Sequence, residues 1–209
     1  MARKLRCDGL SVRDIERSLG VSRSSVSRWV KDVELTAEQS EALRLRPRRG
    51  RDRFRLRRIE YQDAGRATAR CREPLHAIGC MLFWVEGSRS INYAQIANSD
   101  SPLLRLAALF LRQYFDVPDE KFRVACNLFA DHVERQREIE QFWLDELELP
   151  RSCLTKSAVN VYSRHSKRKR LNKLPYGTCR LTVHDVRIAQ HLSGAIQEYG
   201  GFERPEWLG

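Results

Sequence analysis

The chain has 209 residues, 42% of them hydrophobic, which suffices for a buried core in one medium domain plus a small one. Its formal net charge of +11 is uneven: residues 1–74 hold 20 Lys/Arg against 11 Asp/Glu, the remainder 18 against 16. Such a field suits a polyanionic partner. There is no apolar run of about eighteen residues and no signal-peptide core, so membrane and secreted classes are set aside and a cytoplasmic location is expected.

Residues 9–30 read as two short helices around a glycine turn. Ser11 can cap the first, Asp14 completes a capping box, and Ile15 and Leu19 form its apolar stripe. Gly20 supplies the positive-φ stop. Ser22 can cap the second helix, whose Val26, Trp29 and Val30 fall on a buried face and leave Arg23, Ser24, Ser27 and Arg28 outside. This layout resembles the helix-turn-helix of resolvase and Hin-type recombinases and of many bacterial repressors. The resemblance implies double-stranded DNA as partner, with those four residues facing the bases.

A further helix is expected over residues 35–43, closing a first domain at residues 1–43. Residues 44–74 follow as an arginine-rich linker; residues 44–58 lack a sustained apolar stripe, residues 59–72 are compatible with a poorly patterned helix, and Pro74 marks the next boundary. Arg48, Arg49, Arg51 and Arg53 are its candidate phosphate or minor-groove contacts.

From residue 75 onward helical and strand periods alternate, which predicts an α+β domain over residues 75–209 with a mostly antiparallel sheet. Residues 75–85 are almost wholly apolar and belong in a core or an interface. Amphipathic helices are expected over residues 102–115, 133–147 and 186–199. Period-two strands are expected over residues 121–130, 158–163 and 178–184. Their inner positions include Phe122, Val124, Cys126, Leu128, Cys179, Leu181 and Val183. Lys121, Arg123 and Arg180 point outward, and Lys167, Arg168, Lys169 and Arg170 lie in a basic loop between two strands. One continuous phosphate-binding face is expected from these cations. The six cysteines are scattered without a C-x-x-C pair and read as reduced and structural, and with the five histidines they make no metal-ligand spacing.

The apolar helix ends in Glu86 and Gly87, the glycine a natural C-cap and the acid at the unfavourable end of the helix dipole. The segment resembles the LAGLIDADG homing-endonuclease superfamily, in which such a helix ends in an acid-glycine pair and the acid holds the catalytic metal. Trp84 stands where the first acid of the motif would be, and Met81 replaces a small residue. The resemblance implies a LAGLIDADG-like α+β fold after the helix-turn-helix. It also implies a homodimer that pairs two copies of this helix through Gly79 and Cys80. A sequence-specific, nucleoid-associated transcription regulator with a domain that does not cut needs no cofactor. A homing-type endonuclease would use Mg2+ held by paired Glu86 residues.

Overall fold

The computed structural model describes residues 1–160 and 174–208, with residues 46–51 described by their backbone alone. The chain divides into two compact units, Met1–Leu56 and Arg57–Gly209.

The first unit begins with three short helices, α1 (Ala2–Cys7), α2 (Val12–Leu19) and α3 (Arg23–Trp29). Ser11 Oγ accepts from the Asp14 backbone N–H and donates to the Asp14 carboxylate at 2.6 Å, so the expected box closes through the hydroxyl. Gly20, at φ +65°, ends α2, and Ser22 caps α3 by accepting from the Ser25 N–H. Each cap is worth about 1 kcal/mol. Ala2, Ile15, Val26 and Val30 are buried together, with Leu5, Leu10 and Leu19 packed around them. Helix α4 (Ala37–Arg70) starts on a second reciprocal box between Thr36 and Gln39. Gln39 also donates to the Cys7 carbonyl, tying the start of α4 to the end of α1.

That helix is the first departure from expectation. Residues 44–58 run as helix rather than as an irregular linker, residues 59–70 continue it as their sequence allows, and the boundary between the units falls inside it. From Arg57 on, the face of α4 within the second unit is made of Gln62, Gly65 and Ala69, all buried. A Cβ added at Gly65 would collide with the His191 carbonyl, and one at Gly194 with the Gln62 carbonyl. Backbone-to-backbone packing of small and amide residues therefore holds this stretch. A hydrophobic stripe does not.

The second unit continues with α5 (Pro74–Glu86), β1 (Ala94–Asn98), α6 (Ser101–Phe115), β2 (Phe122–Phe129), α7 (Gln136–Leu147), β3 (Ala158–Asn160), β4 (Thr178–Val183) and α8 (Val186–Gly200). Glu73 caps α5 by accepting from the N–H groups of Leu75 and His76, with Pro74 in the first turn. Asp100 and Asp185 cap α6 and α8 in the same way. The four strands are ordered β1-β4-β2-β3. β4 runs antiparallel to both neighbours, but β2 and β3 are parallel, so the sheet is mixed and not antiparallel throughout. The cause is the connection: α7 carries the chain back to the starting end before β3 begins, as a parallel pair requires.

The inner strand positions Phe122, Val124, Cys126, Leu128, Cys179, Leu181 and Val183 are all buried, as their alternation predicts. They join Phe110, Trp143, Ile188 and Leu192 in a single core. Among the described residues no helix of this unit covers the other face of the sheet.

Gly79 and Cys80 lie in that core. A Cβ at Gly79 would run into the Phe110 ring of the same chain, and Cys80 is fully buried. The expectation that these two residues meet a second copy is therefore overturned: the small side chains make room for α6. The exposed side of α5 carries Ile78 and Val85, 51% and 77% exposed.

Candidate nucleic-acid interface

Two surfaces gather the polar and basic side chains, one in each unit. In the first unit, burial of Val26 and Val30 fixes the rotation of α3 and turns Arg23, Ser24, Ser27 and Arg28 to solvent, all four exposed. Their positions span about one side of two turns. Trp29 departs from expectation: at 47% exposure it is not part of the buried face. Its position places it on the flank, beside the half-buried Ser25 and away from Ser24 and Arg28. Arg53 is exposed on α4, whereas the side chains of Arg48, Arg49 and Arg51 lie outside the described residues.

In the second unit, the open face of the sheet forms a shallow groove lined by Tyr93, Gln95, Arg123, Arg180, Thr182 and His184. Register explains the gathering. Gln95 and Arg123 both stand opposite Thr182, and Ala97 and Ala125 flank Arg180, so small neighbours leave the guanidinium room. Thr182 Oγ1 donates to Gln95 Oε1 at 3.3 Å, and the rings of Tyr93 and His184 meet edge-on at 5.4 Å. Among the described residues that line this groove there is no carboxylate. The described lining therefore carries net positive charge, and an anionic ligand is favoured.

Two expected members differ in detail. Arg123 folds back, its Nη1 donating to the carbonyls of Glu120 and Phe122 at 2.7 Å each. Lys121 is exposed in the short turn Asp119–Lys121 that precedes β2, not on the strand itself. Lys167, Arg168, Lys169 and Arg170 lie outside the described residues. Tyr93 and Gln95 escaped the sequence reading because β1 has only five residues, three of them Ala or Asn, too few for a period-two signal.

Glu86 closes α5 beside Asn98 at the end of β1, and Asn98 Nδ2 donates to Glu86 Oε2 at 3.1 Å. Gly87 bridges to Ile96 and Ser88 donates to the Gln95 carbonyl, so the helix end is stitched to the sheet edge. Gly87 adopts φ −80°, ψ 157°, an extended rather than left-handed cap. It must be glycine for another reason, since a Cβ would strike the Phe83 carbonyl. Glu86 is exposed and keeps an oxygen for a cation. Among the described residues no three His, Cys, Asp or Glu side chains are grouped to hold a metal ion. Among the described residues Glu86 therefore has no second acid beside it to share a metal ion.

Compared with family models, with curated proteins and with solved structures, the chain matches none. Among the described residues no helix is long and apolar enough to cross a membrane.

Proposed function

We propose that this chain is a sequence-specific DNA-binding protein, a helix-turn-helix protein whose LAGLIDADG-like second unit binds without cutting, and that it acts as a transcription regulator. The observation that carries the reading is α3: a doubly capped helix pair presents an outward face of arginine and serine, with the exposed Trp29 on its flank. Arginine can bond guanine bidentately in the major groove, and serine accepts or donates at most base edges. The groove on the sheet, with Arg123 and Arg180 in its lining, adds a second surface suited to phosphates.

Selection of bound sequences from a random DNA pool, followed by titration of the selected site and of random DNA, tests this. Arg28→Ala should cost about 1–3 kcal/mol on the selected site and little on random DNA. No enrichment of any sequence would refute base reading, and equal loss on both DNAs would reduce Arg28 to a phosphate contact.

A second reading rests on Glu86, exposed at a helix end before a glycine. In it two copies meet along the apolar side of α5 that bears Ile78 and Val85, and their Glu86 carboxylates share Mg2+. Incubating the protein with a plasmid that carries the selected site, with and without Mg2+, separates the two. Site-dependent cutting that Glu86→Ala abolishes would establish the nuclease.

A further inference from the structure

A cleft with a cavity volume of about 70 Å³, or about 540 Å³ with its open mouth included, lies in the second unit between α8, residues 88–94 and the C-terminal turn Pro205–Leu208. It adjoins the sheet groove at Tyr93, the one described residue that lines both. Its floor is apolar, made by Phe83, Leu192 and Ile196, all buried. At the mouth stands Arg89, exposed, with its guanidinium 5.3 Å from the centre of the Trp207 ring. Among the described residues no carboxylate lies within ion-pairing distance of Arg89. Glu206, which also lines the cleft, is already paired with Arg204 at 3.4 Å.

The walls are fixed in place by the protein alone. Gln190 Nε2 donates to the carbonyls of Ile91 and Trp207 at 3.0 and 3.2 Å, joining the two rims. Arg58 adds a second clasp, donating to the Leu208 carbonyl at 2.8 Å and to Asn92 Oδ1 at 3.1 Å. Ser90 Oγ accepts from the Asn92 N–H at 3.2 Å, which leaves its hydroxyl proton to donate into the cleft.

We propose that this cleft binds a small amphiphile carrying one negative charge, a short-chain or small aromatic monocarboxylate. The hydrocarbon part lies over Phe83, Leu192 and Ile196. The carboxylate takes paired bonds from Arg89, the geometry a guanidinium offers best, with Ser90 as a further donor. Glu206 at the rim disfavours a second negative charge. An apolar floor with a few convergent polar groups is the usual make-up of a small-molecule site, and walls already pinned reduce the ordering cost of binding. The site goes beyond the DNA-binding reading, and its test needs no DNA.

The test is calorimetric titration of the full chain with sodium hexanoate and sodium benzoate, and in parallel with hexanamide and benzamide, which keep the shape and lose the charge. At least one carboxylate should bind saturably at one site per chain, and its amide at least about tenfold more weakly. Arg89→Gln alters an exposed side chain and should weaken the carboxylate at least about tenfold without changing the far-ultraviolet circular dichroism. Ser193→Leu, which narrows the cleft from α8, should weaken it as well. No saturable binding of either carboxylate, equal binding of carboxylate and amide, or binding untouched by Arg89→Gln would each overturn the proposal.

Discussion

The Nε2 atoms of His76 on α5 and His191 on α8 lie 3.0 Å apart, and His76 Nδ1 is 2.9 Å from the Tyr199 hydroxyl. One imidazole must donate and the other accept, so protonating both Nε2 atoms sets two N–H groups against each other. Burial lowers the pKa of both rings, that of His191 to about 4, with the neighbouring His76 and Arg187 charges adding to the effect. The sign follows from linkage. The unfolded chain takes up a proton at His191 near its ordinary value of about 6.5, the folded chain only near 4. Stability from the neutral pair is thus complete above about pH 6.5 and is lost as pH falls towards 4. Denaturant midpoints between pH 7 and 4.5 should drop by the equivalent of roughly 2 kcal/mol, and His191→Gln should remove most of that slope. A flat profile for the original chain would show that the pair opens to water.

Gly79 faces Phe110 inside the chain. Gly79→Ala should lower stability by about 1–3 kcal/mol through overpacking and leave the sedimentation coefficient unchanged. Ile78→Glu with Val85→Glu should do the reverse, separating any dimer while the melting temperature stays near its original value. A protein that sediments as a monomer on its own and on DNA would remove the shared Glu86 site.

The crossing of α4 over α8 rests on two glycines that touch the opposing backbone. Gly194→Ala should push the helices apart and cost about 1–3 kcal/mol, while Gln62 and Gln197 lose their 3.2 Å bond. Hydrogen exchange in residues 57–70 should rise with it. Unchanged exchange there would mean that the helix holds without this contact.

The arginines of α4 should contribute salt-dependent affinity with little sequence preference. Replacing Arg48, Arg49, Arg51 and Arg53 by Gln should flatten the plot of log affinity against log salt by up to about 0.9 for each arginine that contacts a phosphate. An unchanged slope would take the helix out of the interface.

Local chemistry made much of this protein legible from its residues alone. The caps at Ser11 and Ser22, the stop at Gly20 and the alternation in β2 and β4 act within one turn or one strand, and each appears where the sequence places it. The exposed Arg and Ser face of α3 follows from the same short-range pattern. Tertiary structure decided the rest, because the deciding contacts join residues far apart in the chain. Residues 57–70 pack through glycine and glutamine, which carry no hydrophobic period, so the place of their helix against α8 is seen only in the folded chain. The small residues of α5 invite a partner helix in the sequence, yet the ring of Phe110 in the same chain fills that space. The parallel direction of β3 is set by the crossover through α7, and Trp29 is exposed because the core of the first unit closes on Ile15, Val26 and Val30 without it. The cleft at Arg89 unites α8, the loop after α5 and the C-terminal turn, three segments that only the folded chain brings together.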